Sequence, residues 1–154
     1  MIAIRRGRNV QLTQSENRPL SLVPPSLPAV RALILAGHAD TTALLDDFVV
    51  RSGLTPVHPL DDEPVDQAVA RTRPRVAIVD FDHPCAMSQR LPEWLGAVGT
   101  RLLLCAALHR NAEARDRAMR TGSLYFPLPI AYRDFDLVLR TALLLERWAR
   151  GKAG

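Results

Sequence analysis

The chain reads as an α/β protein: one parallel sheet of five strands, with two helices on one face and three on the other. Three observations carry this reading. From residue 30 onward, short apolar runs alternate with stretches of helical period, the pattern of strand–helix–strand units. The run Val76-Ala-Ile-Val79 ends on a carboxylate, Asp80, with Pro84 four residues later. A strand buried on both faces behaves this way where it emerges at the carboxyl edge of a sheet, the edge at which open α/β sheets place their chemistry. Finally, 154 residues at 47% hydrophobic content suffice for one core of this kind.

The elements follow in order. Residues 1–29 are set apart as an N-terminal tail, and residues 30–154 as the domain. Arg5, Arg6, Arg8 and Arg18 and then Pro19, Pro24, Pro25 and Pro28 argue against a helix and leave little to bury, so a flexible leader is expected. Ile2, Ile4, Val10 and Leu12 alternate with polar residues and would suit a short edge strand. A basic arm for nucleic acid or a partner is the functional alternative. Ala32–Leu35 is the first strand candidate. Asp40-Thr41-Thr42 offers a cap to a helix whose Leu44, Leu45, Phe48 and Val49 share a face, with Gly53 after its end. Thr55–Leu60 is a weak second strand, placed at a sheet edge by Pro56 and Pro59. Asp61-Asp62-Glu63-Pro64 opens a second helix, which runs to about Thr72.

Val76–Asp80 is the third strand. A looser helical segment from Pro84 to about Val98 precedes a buried fourth strand, Arg101–Ala107. Ala112–Arg120 is the fourth helix, ending at Gly122. Leu124–Phe126 is a short fifth strand stopped by Pro127 and Pro129, and a last helix spans about Tyr132 to Arg150. That helix is apolar on two faces. Phe135, Val138, Ala142 and Leu145 form one stripe, while Leu137, Leu144 and Trp148 lie on another. Covering a sheet needs one stripe, so the second predicts an interface, with Arg115, Asp116, Arg117, Arg120, Glu146 and Arg147 as a charged rim.

Composition bounds the function. No apolar run approaches the roughly 20 residues of a membrane span, and Met1–Arg8 lacks a signal-peptide core. Cys85 and Cys105 make no disulfide framework, which points to a cytoplasmic protein. The net charge of +4 comes almost wholly from arginine, Lys152 being the one lysine. The charges read as scattered over a solvated surface, so nucleic acid is not the expected partner. Ala36-Gly37-His38-Ala39 has too few glycines for a phosphate loop, and no nucleophile-elbow sequence occurs. His38, Asp80, Asp82 and His83 could meet at the carboxyl edge as metal ligands, although their spacing matches no metal motif.

Residues 31–150 resemble the receiver domains of response regulators, the flavodoxin-like modules typified by CheY. Asp80-Phe-Asp-His-Pro84 matches the family's Asp-x-x-x-Pro, Gly53 the glycine after the first helix, Thr121-Gly122 the small residues before strand five, and Pro129 the proline after it. The resemblance implies a three-layer (βα)5 sandwich of strand order 2-1-3-4-5, with Asp80 in the phosphoacceptor position. It also implies a damaged site. The acidic pair that holds Mg²⁺ falls on Ala36 and Gly37, the hydroxyl residue of strand four on Ala106, and the lysine of strand five on Leu128. Phosphoryl transfer rests on positioning and charge neutralisation, which those groups supply. Asp82 could replace one lost carboxylate or simply face solvent.

The expectation is therefore a pseudo-receiver without enzymatic activity, cofactor or metal, acting through protein contacts as a homodimer. Receivers commonly dimerise through the fourth helix, fifth strand and fifth helix, which agrees with the stripe on the last helix. The chain resembles the first domain of the AmiR/NasT antitermination regulators but ends at Gly154 without their RNA-binding bundle, so RNA antitermination is not carried over.

Overall fold

The computed structural model describes residues 29–153, with side chains through Leu145; the tail assigned to residues 1–29 lies outside the described residues but for Ala29. The elements are β1 (Arg31–Leu35), α1 (Ala39–Arg51), β2 (Thr55–Val57), α2 (Val65–Thr72), β3 (Val76–Asp80), α3 (Leu91–Ala97), β4 (Arg101–Ala107), α4 (Asn111–Thr121), β5 (Leu124–Leu128) and α5 (Tyr132–Ala153). Single 3-10 turns at Pro84–Met87 and Leu108–Arg110 follow β3 and β4. All strand pairs are parallel, in the order β2-β1-β3-β4-β5. The expected fold class and strand order are both found.

Apart from Arg31, Asp80 and Arg101 at their ends, the central strands β1, β3 and β4 are apolar because helices cover both faces. Alternation sends Ala32, Ile34, Val76, Ile78, Leu103 and Cys105 to one side, where Leu45, Phe48 and Val49 of α1 and Phe135 and Leu139 of α5 cover them. Leu33, Leu35, Ala77, Val79, Leu102 and Leu104 face the other side, under Val69 of α2, Leu91 and Leu95 of α3, and Ala114 and Ala118 of α4. Two helices thus oppose three. Each fully buried leucine or phenylalanine contributes about 1.5–3 kcal/mol, and Phe48, Phe126 and Phe135 pack ring against ring at 5.2–5.5 Å. Ser52 ties the end of α1 to the start of α5, donating to Asp136 at 2.8 Å beside the Tyr132 hydroxyl.

Several local expectations are corrected. Helix α1 begins at Ala39 with His38 as its N-cap, so Asp40-Thr41-Thr42 lies within the first turn and Thr42 donates back to the His38 carbonyl. Leu44 is not core but 37% exposed. Strand β2 stops at Val57. Glu63 precedes α2 instead of entering it: it accepts from the Leu60 amide and pairs with Arg71 at 2.8 Å. Between β3 and β4 the helical segment is two pieces, parted where Ser88 accepts from the Arg90 amide. Pro127 does not end β5. It lies inside the strand, which among the described residues is an edge paired only to β4, and a missing N–H costs nothing on the side away from β4. On α5 the core stripe is Phe135, Leu139 and Ala142, fully buried, whereas Leu145 is 39% exposed. Gly122 closes α4 at φ +68°, a left-handed cap that glycine adopts without a Cβ clash.

Candidate functional site

The carboxyl ends of β1, β3, β4 and β5 meet around Asp80. The strand delivers this carboxylate to the edge, in register with Cys105 of β4. It is 2% exposed, and its two oxygens accept from the backbone amides of Gly37 and Asp82, both at 3.4 Å. Backbone donors in adjacent loops are what a buried carboxylate requires in place of water.

Gly37 explains how the loops come so close. A Cβ at this position would lie 2.8 Å from the Asp82 carbonyl oxygen and 3.0 Å from its carbon, and the obstruction is backbone that cannot rotate away. The place where the resemblance puts the second Mg²⁺ carboxylate is therefore filled by the loop after β3, and any side chain there would displace that loop.

Asp82 is not a free solvent-facing residue. Its Oδ1 accepts from Arg110 Nη1 at 3.3 Å, and its Oδ2 meets His38 Nε2 at 3.2 Å. Partial burial pulls its pKa upward, but the Arg110 and His38 bonds outweigh this and hold the carboxyl below its ordinary range. Arg110, from the turn after β4, also donates to the Phe81 carbonyl at 3.1 Å and to Glu113 at 3.2 Å, and it stacks over the Phe81 ring at 4.8 Å. Three loops are laced together by one carboxylate and one guanidinium. The sequence reading missed Arg110 and the pairing of His38 with Asp82. The one available signal was an arginine placed directly after a strand that ends at the same edge.

His83 turns away from this network, its Nδ1 accepting from the Cys85 amide at 3.1 Å. Burial pushes its imidazole pKa down, partly offset by the Asp80 charge. The metal alternative built on His38, Asp80, Asp82 and His83 is not assembled. Among the described residues no group of three or more His, Cys, Asp or Glu side chains is arranged to hold a metal ion.

A cleft of about 330 Å³ opens over Asp80, lined by His38, Asp40, Thr41, Leu44, Asp82, Ala107, Leu128 and Pro129. Leu128 thus lines the site as aligned, putting an alkyl group where a cation was expected. Ala106 does not line it; it is fully buried on the α2–α4 side, and its neighbour Ala107 forms the wall. Ala36 is half-buried against the α1–α5 side. The interface residues are not among those that line the cleft. Leu137 and Leu144 are 65% and 62% exposed on α5, while the Trp148 side chain lies outside the described residues.

Comparison with solved structures turns on this architecture. A response-regulator receiver domain protein from Clostridium thermocellum superposes with a TM-score of 0.64 at 13% identity, over 78% of this chain and 98% of that one. The signal receiver domain of a LuxO repressor protein from Vibrio parahaemolyticus gives 0.64 at 16%, over 82% and 99%. NtrX from Brucella abortus, in complex with ADP, gives 0.69 at 16%, over 82% of this chain but only 29% of that longer one. The chain has the fold of response-regulator receiver domains. No protein-family model matches it, and no curated protein does. Among the described residues no helix is long and apolar enough to cross a membrane.

Proposed function

We propose that this chain is a receiver-like signalling module that works without phosphoryl transfer. It regulates through protein–protein contact in the manner of two-component systems, as a homodimer in the cytoplasm, with no catalytic activity of its own. The supporting observation is the packing of Gly37 on the Asp82 backbone. It occupies the space a metal-holding carboxylate needs, next to an Asp80 already satisfied by two amides. Mg²⁺ binds through near-octahedral carboxylate and water oxygens, and neither Ala36 nor Gly37 offers one. With Leu128 in place of a cation, the negative charge of a phosphoryl group on Asp80 would go uncompensated there.

The contact surface is placed on α5, where Leu137 and Leu144 stand in solvent on the side opposite Phe135, Leu139 and Ala142 and the sequence continues the stripe at Trp148. A helix apolar on two opposed faces is covered on both. A second reading, phosphorylation of Asp80, draws on one observation: Asp80 does line an open cleft. Incubation with Mg²⁺ and acetyl phosphate separates the two. The proposal expects an unchanged mass, and a one-phosphoryl gain abolished by Asp80→Asn overturns it.

A further inference from the structure

The charge of this chain is divided, not scattered. Residues 29–100 carry ten acidic side chains against six arginines, residues 101–154 ten basic against five acidic, and residues 1–28 four arginines against Glu16 alone. In space the first group is the β2–β1–β3 side of the sheet with α1 to α3, and the second is the β4–β5 side with α4 and α5. The cleft over Asp80 sits at the seam. Its walls are chiefly apolar (Leu44, Ala107, Leu128, Pro129), its rim carries Asp40 and Asp82, and Asp80 lies buried at its floor. Among the described residues, Asp82 is the one of these carboxylates with a side-chain partner, the Arg110 guanidinium and the His38 ring.

We propose that the cleft is a docking groove for this chain's own N-terminal segment, taken by the arginine cluster Arg5-Arg6-Gly7-Arg8 with the flanking apolar Ile4. Its long side chains suit the groove: an arginine lays its methylenes along apolar walls and turns its guanidinium to a carboxylate rim. Reach is ample. The segment joins at Ala29, at the amino end of β1, whose five residues rise about 16 Å to the edge where the cleft opens. The twenty residues from 9 to 28 can cover up to about 70 Å. Covalent attachment holds the cluster at an effective concentration on the order of millimolar, so contacts too weak to bind in trans suffice in cis. Docking would seat a cation beside Asp80, covering the carboxylate with protein.

The test uses the full chain with a spin label at Gly7→Cys; Cys85 and Cys105 are buried and stay unlabelled. The amide signals of Thr41, Leu44 and Leu128 should be lost to paramagnetic broadening, and those of Leu137 and Leu144 kept. The lost signals should return in 1 M salt, where screening shortens to about 3 Å, and in the R5A/R6A/R8A background. Intact signals around the cleft, broadening on α5 instead, or broadening that survives the triple substitution each overturn the proposal. So does broadening when a spin-labelled, isotopically unlabelled sample is mixed with unmodified labelled protein, because the segment would then dock on a second copy.

Discussion

Gly37 is the residue on which the site turns, and its substitution separates a missing side chain from a missing space. Restoring an acid with Gly37→Asp does not rebuild a metal site, because the new Cβ meets the Asp82 carbonyl at 2.8 Å. The expected cost is about 1–3 kcal/mol, as for other overpacked positions, read as a lower urea midpoint at unchanged slope, with no Mg²⁺-dependent recovery. Asp82 carries a pH signature. Its folded pKa is depressed below the ordinary 3.8, so its contribution to stability is complete above that value and is lost as pH falls through the folded value. Asp82→Asn should lower the melting temperature at pH 7, and the difference from wild type should close as pH falls below 3.8 and through the depressed folded value. Glu63, lowered to about 2 by its hydrogen bonds to Arg71 and the Leu60 amide, behaves likewise: a Glu63→Gln penalty present at pH 7 should fade between about pH 4 and pH 2. Asp80 was legible in the sequence because a strand that ends on an acid needs only local pattern. The Arg110–Asp82–His38 lacing was not, since its two bonds join residues 28 and 44 positions apart in three loops, and nothing local marks their meeting.

Helix α5 shows how far periodicity carries and where it stops. A 3.6-residue repeat revealed two apolar stripes, and Leu137 and Leu144 do stand in solvent. The same repeat could not choose between Leu139 and Leu145 for the core, because both lie within the arc facing it; the depth of Phe126 and Phe48 beneath the helix decided for Leu139. Two substitutions divide the faces. Phe135→Ala empties a fully buried site against Phe48 and Phe126 and should cost about 3–5 kcal/mol in chemical denaturation. L137E/L144E should leave the denaturation midpoint nearly unchanged and convert a dimer to a monomer by light scattering; a wild type already monomeric at high concentration removes the α5 interface. Proline misled the reading of β5, since a rule for central strands was applied to a strand that, among the described residues, forms a ladder with β4 alone.

At the scale of the whole molecule the topology was legible and the field was not. Five apolar runs with helical intervals admit few arrangements other than a covered parallel sheet, whereas charge is sorted by which strands become neighbours. The order β2-β1-β3-β4-β5 keeps the acidic first half of the domain on one flank and the basic second half on the other. Ionic strength is therefore expected to matter more to this protein's associations than a net charge of +4 suggests.

The two cysteine sulfurs were buried by the same packing. Burial pushes the Cys85 thiol up to about 11 and the Cys105 thiol well above its ordinary value, so neither supplies the thiolate that attacks alkylating reagents and disulfides. The native chain should be silent toward such reagents and react only when it opens, which equips it with a built-in chemical clock for its own unfolding.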